Sequence, residues 1–432
     1  MLRCTALWRT RRSGSVHPNA TQGRPAMPFR LMYLAAYAAF ILNLGDLFKI
    51  EAANALVKSL FLLAGALFLV GRELNPFALA NLLIVTVMIF FLGSMTDYPD
   101  FQWSYLLNAL NQYMLIYLLL SARPTAADRD TVLISAAWFA VACSVLGLMY
   151  QVAGLRTAFP VEFNTGQNRF SGSLNAAFLG GFAMSGMLAS LLLTELGRPR
   201  YYILLLLNAG VMIATGARVA LAVAVGVCGL AFLFSKRRTA SQKITGIAAG
   251  VAAACVIGPI AYVRYAARMS GSGLSGREIM WPWLEELSAR YPDFGIGFGH
   301  QYWSTPREIY ILFSSMAAHN DYLRLLVELG HVGVWVFYIL LVATVWYTKT
   351  IWGGRDPVPL FALAGFLAIS ITDNALATPT HFLLVLVGMF AACGTHRNEA
   401  AARPPAAPSR VRGAPRRFGA TEGNLAGKAA TP

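Results

Sequence analysis

Apolar residues along this chain fall in long uninterrupted blocks, each close to the roughly 20 helical residues that cross a bilayer core. Because backbone in lipid must hydrogen-bond to itself, these blocks are predicted to be α-helices. The pattern predicts an all-α polytopic membrane protein with about twelve transmembrane helices. The predicted spans are 31–48, 52–71, 76–95, 103–121, 131–153, 174–196, 201–215, 217–234, 243–263, 322–347, 358–376 and 380–394.

Composition favours lipid as the surroundings of most of the chain. The 432 residues are 57% hydrophobic and only 13% charged, whereas soluble domains are typically about 45–50% apolar and about 25% charged. The five cysteines are scattered without the spacing of a metal site or a disulfide pair, and we interpret them as packing residues.

Charge predicts the orientation in the membrane. The net charge of +15 lies largely in the two tails and in alternate short connections, as the positive-inside rule describes. An even number of spans then places both termini in the cytoplasm. Lys49 and Lys58 are exceptions. The basic residues of these connections are Arg72, Arg123, Arg129, Arg198, Arg200, Lys236, Arg237, Arg238, Lys349 and Arg355.

The predicted organisation has three parts. Residues 1–29 form a basic cytoplasmic segment without the apolar core of a secretion signal, and Met27 is an alternative start to Met1. Residues 30–395 form the membrane domain, and residues 396–432 form a disordered basic tail. Two long loops are predicted on the outer side of the membrane, at 154–173 and 264–321. The second, between the ninth and tenth helices, is rich in aromatic residues and is expected to be partly helical.

Polar residues gather where the second loop meets the tenth helix. His319 is followed by Asn320, Asp321, Arg324 and Glu328, and the last three share one helical face because they are spaced at i+3 and i+4. Ionisable residues this close to lipid usually face the bundle interior or a wet cavity and carry function. The alternative is that they hold the helix end at the interface.

These residues belong to a pattern that resembles the O-antigen ligase superfamily. His319-Asn320, followed by nine residues and Gly330-His-Val-Gly333, is similar to its histidine motif, and the similarity extends over roughly residues 165–340. In the segment 215–219, which resembles the family's turn with an arginine before a helix, Ala217 stands where many relatives have serine. The other similar segments are Arg169-Phe-Ser-Gly-Ser-Leu-Asn175, Thr215-Gly-Ala-Arg-Val219, Ser275-Gly-Arg-Glu-Ile-Met-Trp281 and Pro292-Asp-Phe-Gly-Ile-Gly-Phe-Gly299.

The resemblance implies a membrane glycosyltransferase. Its donor would be a glycan on an undecaprenyl-diphosphate carrier. Transfer would occur on the periplasmic face of the bacterial inner membrane, which the two long outer loops would then face. The acceptor hydroxyl would belong to lipid A–core, to another lipid-linked glycan or to a protein. The ligase activity is slightly favoured over O-antigen or exopolysaccharide polymerase, with protein O-glycosylation also open.

The resemblance also implies roles for individual residues. Arg169, Arg218 and Arg277 would bind the diphosphate, because guanidinium groups match its geometry with permanently charged donors. Arg264 and Arg268, which follow the ninth span, bind either this group or phospholipid.

His319 would act as general base on the acceptor hydroxyl, since an imidazole titrates near neutral pH, or would hydrogen-bond the diphosphate. Asn320 or Asp321 would orient the ring, with Arg324 in support. The predicted outer loops contain no Asp-x-Asp motif and no clustered carboxylate and histidine ligands. We therefore expect no metal and no cofactor, and an inverting displacement.

Other features support simpler interpretations. The glycines of 294–299 lack a strand–helix context for nucleotide binding. His331 is expected to hydrogen-bond within the bundle, His381 to lie at the outer interface, and Asp373-Asn374 is a further candidate for substrate contact.

The rival functional classes are a secondary transporter, although no two-fold repeat is present, and a structural partner of a polysaccharide export machine. Nucleic acid is not an expected partner.

Overall fold

The computed structural model describes residues 26–161, 166–272, 277–313 and 316–401, and most of these residues are helical. They contain no β-strand, only isolated bridges between Leu74 and Ala122 and between Val161 and Asn168. The first ten helices are α1 Ala26–Leu42, α2 Leu44–Phe48, α3 Glu51–Leu69, α4 Pro76–Met95, α5 Trp103–Ala109, α6 Asn111–Leu120, α7 Ala126–Val152, α8 Ala176–Glu195, α9 Tyr201–Thr215 and α10 Arg218–Phe234. The rest are α11 Ala240–Ser272, α12 Arg277–Arg290, α13 Gln301–Ser304, α14 Arg307–Phe313, α15 Asp321–Thr348, α16 Val358–Ile369 and α17 Pro379–Ala401.

A helix lies at every predicted span, and the all-helical membrane class is confirmed. Among the described residues, six helices are long and apolar enough to cross a membrane, and four apolar helices are shorter. The count of twelve spans therefore stays a prediction. Two predicted spans are each divided into two helices, at Asn43, which adopts a left-handed φ of 50°, and at Leu110.

Two predicted boundaries were wrong. The ninth predicted span, 243–263, continues as helix to Ser272. The eleventh, 358–376, ends at Ile369, and a turn formed by residues 370–378 follows it. Hydropathy extended that helix because Ala375 and Leu376 are apolar. The helix ends here because the backbone of the turn hydrogen-bonds to the start of α15: Ser370 O accepts from Asp321 N at 2.8 Å.

The connections between helices meet at two opposite ends of the bundle. At the end that we call the basic end, Asp128 pairs with Arg72 at 2.5 Å, and Arg198 pairs with Asp130. Both ends of the described chain lie there, because Arg30 is 3.9 Å from Asp128 and Gly353 packs against Ala392.

The other end, which we call the loop end, joins residues 43–50, 96–102, 154–173, 277–320 and 370–378, of which 162–165 and 314–315 are not described. Thr96 Oγ1 donates to Gly295 O at 2.6 Å, and Asn43 Nδ2 donates to Ser173 O at 3.1 Å. The predicted long loop 264–321 therefore folds onto the helices and contributes α12, α13 and α14 to this end.

Helix α8 occupies the centre of the bundle. Every residue from Leu179 to Leu193 is buried, as expected for a helix that is apolar all round. Its glycines permit close contacts with neighbours on different sides. A Cβ on Gly186 would lie 2.4 Å from Asn208 Oδ1, and one on Gly181 would lie 2.6 Å from Thr380 Oγ1.

Helix α15 is kinked at Gly330, where φ is 67° and ψ is −179°, a conformation essentially restricted to glycine. The segment 292–297 docks at this kink. Ile296 N donates to Val327 O at 2.9 Å, and His331 N donates to Pro292 O at 2.9 Å. Gly330 and the glycine-rich segment therefore form one junction between the loop and α15, while the side chain of His331 is exposed.

We expect Gly330→Ala to lower the unfolding temperature of the purified protein. Alanine would have to adopt the glycine-specific conformation, which costs on the order of 1–3 kcal/mol, and its Cβ would lie 2.3 Å from Asp293 O. Thermal unfolding in detergent measures the effect. Gly229→Ala in α10 is the matched control, because nothing lies within 4 Å of its added Cβ. Equal unfolding temperatures for the two variants would contradict this account of the kink.

Candidate active site

His319 lies between the long loop and the first turn of α15. Its φ of 49° is left-handed, which is uncommon for a residue other than glycine. The next residue, Asn320, caps the helix, with its side chain accepting from Leu323 N at 3.0 Å. Asn320 N in turn donates to Asn374 Oδ1 at 3.3 Å. The residue that follows the histidine is thus fixed, and it holds this part of the chain beside the turn 370–378.

The carboxylate beside His319 is Asp373, which bridges two histidines. Its Oδ1 lies 3.6 Å from His319 Nδ1, and its Oδ2 lies 3.7 Å from His381 Nε2. Burial raises the pKa of Asp373, but the contact with His319, the charges that both imidazoles can carry and the N–H of Asn374 outweigh it. The pKa therefore lies well below its usual value, and the group is an anion at neutral pH.

Asn320 and Asp321, one of which we expected to orient the His319 ring, both have other partners in the structure, and that role stays a prediction. Asp321 is fully buried; its Oδ2 accepts from Leu376 N at 2.6 Å, and its Oδ1 is 2.8 Å from Arg324 Nη2. Asn320 is the helix cap. These residues and Arg324 hold the turn 370–378 against α15, because a buried charge is stable only when paired.

Arg277 reaches the same turn from the start of α12. Its Nη2 donates to Thr372 O at 3.0 Å, next to Asp373 in the sequence. One helical turn further on, Trp281 Nε1 donates to Ala318 O at 2.9 Å, next to His319. The structure therefore brings Arg277, His319 and Asp373 together around the turn 370–378.

Arg169 and Arg218 form a second group. Arg169 Nε donates to Thr215 O at 2.8 Å, and Arg218 is the first residue of α10, after a turn in which Gly216 has a φ of 63°. The N-terminal end of a helix favours anions, so this turn adds positive potential. The side chains of Arg264 and Arg268 lie outside the part that the structure describes.

Adjacent glycines of α8 link the two groups. A Cβ on Gly180 would lie 2.8 Å from that of Ala217, beside Arg218 in the chain. A Cβ on Gly181 would lie 3.3 Å from His381 Cδ2. The turn before Arg218 and the histidine that contacts Asp373 thus pack against neighbouring positions of one helix.

His381 differs from its interpretation in the sequence. His381 was expected at the outer interface but is fully buried against Asp373. His300 is also buried, and its Nε2 accepts from Gln102 N at 2.8 Å. Burial lowers the pKa of His300 despite the opposing contacts with backbone groups, so it is a neutral structural residue. Among the described residues, no group of three or more His, Cys, Asp and Glu side chains has the arrangement of a metal site.

Sequence reasoning placed Asp373 among the candidates for substrate contact but did not pair it with His319. The sequence feature that could have indicated this pairing is the Asp-Asn pair at the end of an apolar block. Such polar residues are energetically unfavourable beside lipid unless other polar groups pair with them. Nothing in the spacing indicated that the partners would be two histidines from separate helices.

These features define a polytopic helical membrane protein with a cationic, histidine-containing site at one end of its bundle. Residues 203–338 match the family model described as O-antigen ligase, and this match supports the resemblance of the chain to the O-antigen ligase superfamily. No curated protein matches the chain. The matched family implies a glycosyltransferase-like enzyme that acts on lipid-linked glycans in a membrane.

The matched region contains Arg218, Arg277 and His319, and it excludes Arg169, Asp373 and His381. Half of the residues around the site therefore come from parts of the chain before or after the match, and the fold brings them to it.

We expect Trp281→Phe to loosen the segment that carries His319. Phenylalanine retains the ring but lacks the N–H that binds Ala318 O, and a buried carbonyl without its donor is unfavourable by about 1–3 kcal/mol. Hydrogen exchange should become faster in peptides covering 316–323. The control is Trp335→Phe on α15, whose side chain is 69% exposed. Unchanged exchange in Trp281→Phe would show that this contact does not position His319.

Proposed function

We propose that this protein transfers a glycan from an undecaprenyl-diphosphate carrier to an acceptor hydroxyl on the periplasmic face, as an O-antigen ligase does. The observation that carries the proposal is the contact of His319 with the Asp373 anion, on the turn that also receives Arg277. A base and a cation beside one another match the two needs of the reaction, namely removal of the acceptor proton and stabilisation of the leaving diphosphate.

In the proposed step the acceptor oxygen attacks the anomeric carbon of the donor sugar. The bond from that carbon to the diphosphate oxygen breaks, and the diphosphate leaves with the electron pair. The acceptor proton passes to His319 Nε2, on the ring edge opposite Asp373. Asp373 stabilises the imidazolium that forms, as the third group of a catalytic relay does. A single displacement of this kind inverts the anomeric configuration and needs no metal.

The arginines are assigned to the diphosphate. Negative charge grows on it as the bond breaks, and preorganised cationic donors are most effective where charge develops. Arg277 lies with the proposed base, whereas Arg169 and Arg218 lie on the other side of the α8 contacts. We assign the three to different oxygens of one diphosphate.

The location of the site supports the periplasmic assignment. The basic end carries Arg72, Arg198 and Arg238, and the positive-inside rule assigns such an end to the cytoplasm. The loop end then faces the periplasm, where O-antigen transfer takes place. A polymerase that adds one lipid-linked glycan to another would use the same groups, and it is the second candidate function.

Surface-glycan profiling of a deletion strain tests the proposal. Restoring the gene should restore a lipopolysaccharide ladder if the protein is a ligase, with carrier-linked glycan accumulating in its absence. We expect His319→Ala and Arg277→Ala to abolish restoration at normal protein levels, because they remove the base and a diphosphate ligand. Arg290→Ala, in α12 but in an exposed pair with Glu286, is the control.

Ladders that collapse to single repeats, or lost exopolysaccharide, would identify a polymerase instead. Restoration by both the His319 and the Arg277 variants would refute the site assignment.

We expect Asp373→Asn to lower kcat by about 10²–10³-fold with little change in the KM for the acceptor. The amide preserves the shape of the carboxylate but cannot stabilise the imidazolium by charge. Steady-state transfer by the purified enzyme in nanodiscs measures both constants. Asp97→Asn, which removes an exposed carboxylate of the loop-end segment 96–102, controls for a general loss of negative charge at the loop end. A kcat equal to that of the wild type would exclude Asp373 from the relay.

A further inference from the structure

A cavity of about 560 Å³ opens at the loop end, next to the proposed active site. It lies between α1, α3, α6, the start of α8 and residues 376–382. This volume is within the roughly 300–1,000 Å³ of typical ligand sites. No local pattern in the sequence indicated this cavity, because its walls come from helices that are far apart in the chain.

The lining combines amide side chains with aromatic rings. Amides both donate and accept hydrogen bonds, so they suit the hydroxyl groups of a saccharide, while rings can cover its apolar faces. At one edge Arg156 pairs with Asp46 at 2.8 Å and also donates to Leu174 O. The polar and aromatic side chains that line the cavity are Asn43, Asp46, Asn54, Lys58, Asn111, Gln112, Arg156, Asn175, Phe40, Phe61, Phe178 and Phe382.

One lining atom indicates the chemistry of the occupant. Asn111 Oδ1 is buried, and within the described part of the chain it has no hydrogen-bond partner. Buried acceptors are nearly always satisfied, so an O–H or N–H group, from water or from a ligand, is the natural partner of this oxygen. A saccharide hydroxyl supplies one, whereas an isoprenoid tail does not.

Two direct connections join the cavity to the proposed active site. Gln112 Oε1 accepts from Arg324 Nη1 at 2.5 Å, and Arg324 pairs with Asp321, two residues after His319. The wall formed by Leu376, Ala377 and Pro379 belongs to the segment that begins with Asp373. A ligand in the cavity would therefore lie against the chain that carries the catalytic carboxylate.

We propose that this cavity binds the acceptor saccharide and directs its hydroxyl towards His319. The inference rests on the proposed function, in which the donor diphosphate occupies the arginines. In an inverting displacement the acceptor approaches the anomeric carbon opposite the leaving group. An amide-lined cavity distinct from Arg169, Arg218 and Arg277 suits the acceptor better than the diphosphate.

Asn111→Leu tests the proposal, because leucine has a similar volume and neither accepts nor donates. With purified enzyme in nanodiscs at saturating donor, we expect the acceptor KM to rise about tenfold, the equivalent of about 1.4 kcal/mol, with kcat and the donor KM nearly unchanged. Lys58→Met, an exposed lining residue on α3, provides a second variant with little risk to folding. Asn108→Leu, exposed on α5 and outside the lining, is the matched control.

Direct binding separates this inference from the proposed function. The probe is core oligosaccharide released from the host lipopolysaccharide, titrated into the three variants and the wild type by calorimetry. Binding to the wild type and Asn108→Leu, with weaker binding to Asn111→Leu and Lys58→Met, supports the acceptor site even if no transfer is detected. Equal binding to all four proteins, no binding to the wild type, or an increased donor KM in Asn111→Leu would overturn it, the last by indicating the carrier lipid as the occupant.

Discussion

The arrangement of the loop end depends on one buried carboxylate, that of Asp321. It accepts from Leu376 N, pairs with Arg324, and lies on a residue whose own N–H binds Ser370 O. A buried anion is expensive without such partners. Because the partners lie on the turn 370–378 and on α15, satisfying this charge forces the two together. The proximity of Asp373 to His319 follows from that constraint.

The kink at Gly330 positions the loop in a complementary way. Where the helix departs from regular geometry, the carbonyls of Val327 and Glu328 accept hydrogen bonds from Ile296 and Gly297. The loop thus obtains partners that a regular helix would have used internally. From this fixed point the chain leads back to α12, whose Arg277 and Trp281 reach either side of the proposed site. Asp321 and Gly330 therefore fix the site from two positions on the same helix.

Hydropathy predicted much of the fold, and the spans 76–95 and 201–215 have the bounds of α4 and α9. Lipid imposes a length and an internal hydrogen-bond pattern that are both visible in sequence. The turn 370–378 was missed because its apolar residues extend the preceding block, while the contacts that end the helix are long-range. His319 and Arg277 were identified through local motifs. The partnership of Asp373 with two histidines depends on packing that no local pattern encodes.

The same turn has two faces with different chemical roles, and this constrains how the two substrates relate. Its Asp373 side meets His319 and His381, while Leu376, Ala377 and Pro379 form part of the cavity wall. If the cavity holds the acceptor, as proposed, a shift of that wall on binding would move the Asp373 carboxylate, which is three residues away from Leu376 in the chain. The Asp321 contacts limit such movement, because Leu376 N is bound directly. The acceptor would then approach His319 with its Asp373 partner already in position. Binding energy would be used to orient the acceptor hydroxyl and not to assemble the site.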